Sequence, residues 1–216
     1  MLLKRHSSGF SLVEMMVVVV ILGVIASLAA PSFSQWITNR RIRTAAESVL
    51  SGLQMARAEA VRRNASVRFQ LMSNTGPGCA PRATGPAWVV SRGAAAGLCS
   101  VSPSNTTSTP TAADPIIIAS NGGAEASVDT QVIGADGRTL AVFDGLGRIL
   151  SSTTATSLAC IDIDVPTSTL PAADSRNLRI MISSGGQVRM CDPNVTADTR
   201  DPRYCDAANA GQNRCV

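Results

Sequence analysis

The first apolar stretch of the chain is long enough to cross a membrane. From Phe10 to Ala30 the only charged residue is Glu14. A bilayer core requires about 20 consecutive, predominantly apolar residues in a helix, and this stretch has 21. Lys4 and Arg5 precede it, and basic residues on one flank favour the cytoplasmic side for that flank. The pattern therefore predicts a membrane-spanning helix with the rest of the chain on the outer side.

The helical pattern continues beyond Pro31, although a proline inside a helix costs about 3 kcal/mol and kinks it. Apolar residues recur there at spacings near three and four, and polar residues fall largely on other faces. We therefore expect one kinked helix over residues 10–63, ending at Asn64, whose amphipathic back half packs on a sheet. The apolar stripe of that back half consists of Ile42, Ala45, Ala46, Val49, Leu53, Ala56 and Ala60.

Short apolar or alternating segments follow the helix and predict β-strands. Asp144-Gly145 and Gly185-Gly186 lie between apolar runs, which is typical of hairpin turns. Residues 73–86 and 102–114 have the composition of loops, and the chain is polar and irregular from residue 192 onwards. A long helix followed by an antiparallel sheet is an α+β architecture. The expected strands are residues 67–72, 87–90, 115–119, 127–133, 139–143, 148–150, 159–165, 178–183 and 187–190.

The composition excludes several classes of catalytic and metal site. The single histidine, His6, and the single lysine, Lys4, both precede the apolar stretch. The remainder therefore cannot form a Ser-His-Asp or Cys-His catalytic set, a Walker-type phosphate site or a His-ligated metal site. Asp162 and Asp164 face the same way on an expected strand, which an exposed strand face explains at least as well as an acid–base pair. We expect a non-enzyme with no metal and no cofactor.

All six cysteines follow the expected membrane helix, where an oxidising compartment favours disulfides. Proximity in the sequence favours the pairs Cys79–Cys99 and Cys205–Cys215, which leaves Cys160–Cys191 to join two expected strands. The main alternative is Cys191–Cys205, which would attach the polar tail differently. Each bond is expected to stabilise the fold by about 2–4 kcal/mol.

Glu14 distinguishes the apolar stretch from an ordinary anchor. A carboxylate in a membrane helix costs about 2.5–3.5 kcal/mol at the bilayer centre and less near an end. A secretory signal peptide cleaved near Ser27-Leu28-Ala29, or a plain signal anchor of a periplasmic domain, explains the apolar run but not this carboxylate. Cleavage after Gly9 would instead create a free amine on Phe10, one helical turn before Glu14, and this amine could neutralise the carboxylate.

The string Gly9-Phe10-Ser11-Leu12-Val13-Glu14, followed by a long apolar helix, resembles the class III leader of type IV pilins and type II secretion pseudopilins. The resemblance implies that prepilin peptidase cleaves between Gly9 and Phe10 and methylates the new amine of Phe10. It also implies a role for Glu14 in assembly. Pro31 matches a proline in the N-terminal helix of the family.

Later segments are similar to the GspH/FimT family of minor pilins, and the tail is similar to that of FimU- and FimT-type members. The segments that carry the similarity are residues 44–64, 142–148, 183–193 and 201–205. The resemblance implies the pilin fold, in which a long kinked N-terminal helix packs on an antiparallel β-sheet head. The implied regions are a leader (1–9), a transmembrane and filament-core helix (10–30), its amphipathic continuation (31–64) and a periplasmic β-rich head with a disulfide-pinned tail (65–216).

The same resemblance implies a structural function. The protein is expected to join a type IV pilus-like filament and to help prime or cap its assembly, in type IV pilus biogenesis or in type II secretion. The implied partners are prepilin peptidase, other minor and major pilins or pseudopilins, and the bacterial inner membrane, with the head in the periplasm.

DNA binding is the alternative function that the resemblance raises. Some FimT-like pilins bind DNA for natural transformation through a C-terminal Gly-Arg-x-Arg motif, and the matching place here is Gly186-Gln187-Val188-Arg189. Gln187 replaces the first arginine, so we expect weak binding. The chain carries 19 basic and 15 acidic side chains, and Lys4 and Arg5 leave with the leader, so the remainder is not strongly basic. The candidate DNA-contacting residues are Arg189, Arg200, Arg203 and Arg214, which Asp192, Asp198, Asp201 and Asp206 counter.

Overall fold

The computed structural model describes residues 10–85, 87–104, 108–123, 130–134, 137–150, 157–195 and 201–205, apart from the side chains of residues 28–31 and 131. Within these residues one long helix, α1 (Leu12–Arg63), precedes eight strands. The chain divides into two units. The first ends at Ile37 and contains the front of α1, and the second begins at Thr38 and contains the rest of the helix and all eight strands.

The strands form two four-stranded antiparallel sheets. Sheet A has the order β3-β2-β1-β5, and sheet B has the order β4-β6-β7-β8. The strands are β1 (Val67–Met72), β2 (Ala87–Ser91), β3 (Ile117–Asn121), β4 (Gln131–Gly134), β5 (Leu140–Phe143), β6 (Cys160–Asp164), β7 (Leu178–Ile182) and β8 (Val188–Cys191).

The back half of α1 supplies one wall of the main hydrophobic core. All seven residues of the predicted apolar stripe are buried, from Ile42 to Ala60, and none is more than 4% exposed. They pack with Phe69 of β1, Phe143 of β5 and Ile161 of β6 in one continuous cluster. Burial of this stripe, rather than helix propensity, is what holds such a helix in place.

Asn64 ends the helix, as the sequence predicted. Its backbone is in the left-handed region, with φ of 48°. The N–H of Asn64 donates to the carbonyl of Val61, and the N–H of Ala65 donates to that of Ala60. These two bonds form a Schellman motif, which satisfies carbonyls that the end of a helix would otherwise leave unpaired.

A second, smaller core covers part of sheet A. Met72 of β1 and Val89 of β2 are buried there with Ala95 and with Cys79 and Cys99. The loop between β1 and β2 and the loop after β2 supply the covering residues. Sheet A is therefore buried on part of both faces, which explains why β2 is buried along its whole length.

The predicted α+β class is confirmed, and most predicted strands appear within two residues of their expected bounds. Residues 148–150 are the exception, because they form an isolated bridge, between Ile149 and Phe143, and no strand. Residues 127–129 of the fourth predicted strand lie outside the described residues. Gly185-Gly186 lies in the hairpin between β7 and β8, as predicted.

Candidate assembly and processing site

Ser11 caps the N-terminus of α1. Its hydroxyl oxygen accepts a hydrogen bond from the backbone N–H of Glu14 at 3.2 Å, and its carbonyl accepts one from the N–H of Met15. A serine cap followed three residues later by glutamate is the sequence of a capping box. A carboxylate in the first turn also interacts favourably with the helix dipole. Sequence analysis missed the cap that Ser11 forms, although the spacing Ser-x-x-Glu signals it.

The front of α1 leaves its apolar side chains uncovered. Phe10 is 75% exposed, and all large apolar side chains from Leu12 to Ile25 are at least 42% exposed. Glu14 is also exposed and lies within this surface. A contiguous apolar surface of this size indicates contact with a membrane or with other proteins.

No single helix within the described residues is long and apolar enough to cross a membrane. Leu12–Ser27 and Ser32–Arg63 meet the requirement of length and composition as a pair that is bent by 44°. Pro31 lies in the break between them, where the sequence predicted a kink. Gly9 is outside the described residues and Phe10 is the first of them, so cleavage between the two stays a prediction.

In the second unit, α1 lies close to sheet A at Gly52. A Cβ atom at this position would lie 2.9 Å from the ring of Phe69 and 3.0 Å from that of Trp88. The indole N–H of Trp88 donates to the hydroxyl of Ser48 at 3.1 Å. The glycine therefore permits close contact, and the hydrogen bond fixes the side chain that packs over it.

The turn after β5 is held rigidly against the end of α1. The carboxylate of Asp144 accepts hydrogen bonds from the backbone N–H groups of Leu146 and Arg148 and pairs with the Arg148 guanidinium at 2.9 Å. The bond from the Arg148 backbone is the main cause of the lowered pKa of Asp144. From the helix side, Arg57 donates to the carbonyl of Gly147 at 3.1 Å. The turn thereby presents Leu146, which is 70% exposed, to solvent.

Ion pairs of Glu59 strengthen the last turns of the helix. Its carboxylate lies 2.7 Å from both Arg62 and Arg63. The hydrogen bond from Arg62 lowers the pKa of Glu59 more than burial raises it. Gln54, Arg57, Ala58, Val61 and Arg62 line a shallow surface groove of about 460 Å³ on the same helix.

The cysteines pair differently from the favoured prediction. Cys79–Cys99 is confirmed. The predictions of Cys160–Cys191 and Cys205–Cys215 are wrong, because the structure contains the alternative bond Cys191–Cys205. Cys160 is also disulfide-bonded. Cys215 lies outside the described residues.

The candidate DNA-contacting arginines are only partly described. Arg189 and Gln187 are both exposed beside the β7–β8 turn. Arg203 pairs with Asp201 at 2.8 Å. The hydrogen bond from Arg203 lowers the pKa of Asp201, and the same bond raises the pKa of Arg203. Arg200 and Arg214, with Asp198 and Asp206, lie outside the described residues.

Asp162 serves a structural role. Its carboxylate forms two hydrogen bonds with Arg179 on the neighbouring strand, at 2.5 and 3.0 Å. The two residues are directly opposite in the β6–β7 register, where oppositely charged pairs stabilise a sheet. Asp164 bonds to the next backbone N–H instead. Within the described ranges no group of His, Cys, Asp and Glu side chains could hold a metal ion.

Comparison with known families identifies the chain. The family of the type II transport protein GspH matches residues 45–186, which is more than half of the sequence. The chain belongs to the GspH family. A prokaryotic N-terminal methylation motif matches residues 4–30 of this GspH-family protein. The family consists of minor pilins and pseudopilins of type IV pili and type II secretion systems.

Two crystal structures of the type IV minor pilin FimU from Pseudomonas aeruginosa strain PAO1 are similar to this GspH-family chain. The structure in space group P21 shares 15% identity, covers 72% of this chain and 94% of its own, and has a TM-score of 0.42. The structure in space group P65 shares 16% identity, covers 70% of this chain and 97% of its own, and has a TM-score of 0.40. No curated protein sequence matches the chain.

Proposed function

We propose that this GspH-family protein is a minor pilin that enters a type IV pilus-like filament and helps to prime or cap its assembly. The observation that carries the proposal is the front of α1. It exposes large apolar side chains along its length and has one carboxylate, Glu14, among them. In a filament, packing against the helices of neighbouring subunits would bury this surface.

Before assembly, the same helix would reside in the inner membrane with the head in the periplasm. Prepilin peptidase would cleave between Gly9 and Phe10 and methylate the amine of Phe10. The methylation motif at residues 4–30 supports this processing. The new amine of Phe10, on the same subunit or a neighbour, would then neutralise Glu14 in apolar surroundings. The partners are the peptidase and the other pilins or pseudopilins of the filament.

The test must separate an assembly role of the Glu14 carboxylate from the effect of weakening the N-terminus of the helix, which Ser11 caps. Glu14→Gln removes the charge, whereas Ser11→Ala removes the capping hydroxyl and keeps the carboxylate. Glu47→Gln is the control, because Glu47 is an exposed acid of the same helix that pairs with Arg43. For each variant we would measure the protein in sheared filaments relative to membranes and determine the N-terminus by mass spectrometry.

We expect Glu14→Gln to be processed and inserted but to enter filaments about tenfold less, since an unpaired polar group in an apolar interface costs about 1–3 kcal/mol. Ser11→Ala and Glu47→Gln should enter normally. Equal incorporation of Glu14→Gln would contradict the pairing. A mature N-terminus at Ala30 or Pro31, instead of Phe10, would contradict the pilin interpretation and would indicate an ordinary signal peptide.

Type IV pili and type II secretion remain the two alternatives for the filament, and we propose the pilus because of the tail segments at residues 183–193 and 201–205. Two experiments distinguish them. Detection of the protein in sheared pili would support the pilus, whereas loss of secreted enzymes in a deletion strain would support type II secretion. DNA binding is not favoured by the described tail, in which Asp201 pairs with Arg203.

A further inference from the structure

Four exposed arginines surround the point where the chain enters the head. Arg40, Arg41 and Arg43 lie on α1, and Arg176 lies in the loop before β7. Ile42 is fully buried between the three helix arginines. At 100° per residue, Arg40 lies opposite Ile42 and the other two flank it, so the three follow the solvent side of the helix. We call Arg40, Arg41, Arg43 and Arg176 the arginine collar.

Asn39 holds the backbone of Arg176, the fourth arginine of the collar, next to the helix. Its side-chain amide donates to the carbonyl of Asp174 at 3.0 Å and its oxygen accepts from the backbone N–H of Arg176 at 2.8 Å. Ser175, between these two residues, is buried. The loop is therefore bound to the helix one residue before Arg40, and the Arg176 backbone has a defined position beside the helix arginines.

The collar has a net positive charge. Arg43 pairs with Glu47 at 2.8 Å, and both side chains remain more than half exposed. Asp174, whose carbonyl is bound by Asn39, brings a second carboxylate near the collar. The four collar arginines outnumber these two carboxylates, and exposed ion pairs of this kind are weak. Guanidinium groups also bind phosphate oxygens with two parallel hydrogen bonds, which a lysine cannot do.

The position of the collar along the chain indicates lipid headgroups as its ligand. Arg40 follows Ala30 by ten residues of α1, so the helical chain keeps the two residues within about 15 Å of each other. The headgroup layer extends about 5–8 Å beyond the hydrocarbon core. Helical side chains point toward the N-terminus, and a long arginine stem carries its charge several ångströms further in that direction. If residues 10–30 span the bilayer, Arg40 and Arg41, the collar arginines nearest to Ala30 along the helix, bring their guanidinium groups within reach of lipid phosphates on the side of the head.

We propose that the arginine collar binds the headgroups of anionic phospholipids in the leaflet that faces the head. The inference rests on the proposed membrane insertion of residues 10–30. It adds a specific lipid contact, which would hold the head at the membrane surface until the subunit is withdrawn into a filament.

The experiment uses the full chain in phosphatidylcholine vesicles that contain a trace of spin-labelled lipid. Electron paramagnetic resonance gives the fraction of labelled lipid that the protein immobilises, for phosphatidylglycerol and for phosphatidylcholine. The ratio of the two association constants is the selectivity. The collar variant is Arg40→Gln/Arg41→Gln. The control is Arg82→Gln/Arg189→Gln, which removes the same charge from two exposed arginines elsewhere in the head.

We expect the wild type to prefer phosphatidylglycerol by about fivefold or more, since one arginine near an anionic surface has about that effect. The collar variant should lose most of this preference, and the control should keep it. About 0.5 M salt should weaken it in the wild type, because exposed charges are screened.

Equal selectivity of the wild type and the collar variant, or equal loss in the control, would overturn the inference. A result with no immobilised lipid of either type would mean that residues 10–30 are not in the bilayer. That outcome would contradict the proposed membrane insertion itself, and the two failures are therefore distinguishable.

Discussion

At the scale of residues, the end of α1 meets the turn after β5 and the β7–β8 hairpin at positions where only glycine fits, because the surrounding atoms leave no room for a side chain. A Cβ atom on Gly145 would lie 2.5 Å from the side-chain oxygen of Asn64, and one on Gly147 would lie 3.0 Å from Val61. A Cβ atom on Gly186 would overlap the carbonyl of Gly147, and the backbone of Gly186 has φ of 75°. These residues let the β5 turn and the β7–β8 hairpin meet at the end of the helix.

Gly186→Ala should therefore destabilise the head strongly. The left-handed backbone alone costs an alanine about 1–2 kcal/mol, and displacement of the Gly147 carbonyl adds to this cost. Gly185→Ala is the matched control, because a Cβ atom there meets only the hydroxyl of Ser183 at 3.9 Å. We expect a loss of about 2–4 kcal/mol for Gly186→Ala and less than about 1 kcal/mol for Gly185→Ala, measured by denaturant unfolding of the full chain in detergent. Equal effects would contradict the close contact.

Residue patterns predicted some roles and missed others. The left-handed end of the helix at Asn64 was predictable, since asparagine tolerates this conformation and follows the last apolar position of the stripe. The capping bond of Ser11 is equally local, because the Ser-x-x-Glu spacing encodes it, but it was not predicted. The contact of Asn39 with residues 174 and 176 could not be predicted, because its partners lie more than 130 positions away in the sequence.

At the scale of elements, local patterns predicted the strands better than their arrangement. The stripe of α1 and the alternation in β1 directly reflect which side is buried. The division into two sheets depends on pairings between distant strands, such as β1 with β5, that no local pattern encodes. Residues 148–150 look like a strand, but Ile149 donates to Ser184 while Leu150 donates to Val142. This segment therefore connects the β5 edge of sheet A with the β7–β8 turn of sheet B and does not continue either ladder.

Two of the three predicted disulfides, Cys160–Cys191 and Cys205–Cys215, were wrong because proximity in the sequence differs from proximity in the fold. The carboxylate of Asp192 accepts from the N–H of Asn194 and thereby turns the chain directly after β8. The tail then returns beside Asp192, whose N–H donates to the carbonyl of Arg203 at 2.8 Å. Asp192 and Tyr204 form a parallel bridge, which places Cys205 next to Cys191.

Tryptic mapping under non-reducing conditions tests this connection, because arginines separate the relevant cysteines. We expect residues 190–200, with Cys191, to be linked to residues 204–214, with Cys205. A link between residues 204–214 and the C-terminal dipeptide with Cys215 would contradict the structure. Cys191→Ser/Cys205→Ser should lower the free energy of unfolding by about 3 kcal/mol, as expected for a loop of this length. Cys79→Ser/Cys99→Ser, which leaves the tail bond intact, is the comparison.

At the scale of the whole molecule, most described arginines of the head have local partners. Arg43, Arg62, Arg63, Arg148, Arg179 and Arg203 form ion pairs, and Arg57 binds the carbonyl of Gly147. Among the described residues of the head, much of the positive charge is therefore balanced locally. Arg189 is exposed beside Gln187, at the place of the DNA-binding motif of FimT-like pilins.

DNA affinity should consequently be weak and should disappear near physiological salt, where nonspecific binding has a dissociation constant of about 10⁻⁴–10⁻⁶ M. Gln187→Arg would restore the missing arginine next to an exposed Arg189 and should raise the affinity. Ser120→Arg, at an exposed position of β3, adds the same charge elsewhere and should raise it less. Gel-shift titrations of the full chain in detergent at low and physiological salt measure both effects. Tight binding by the wild type at physiological salt, lost in Arg189→Ala/Arg203→Ala, would instead assign the protein to DNA uptake. An equal gain in the two arginine variants would mean that only net charge matters and that the turn beside Arg189 is not a DNA site.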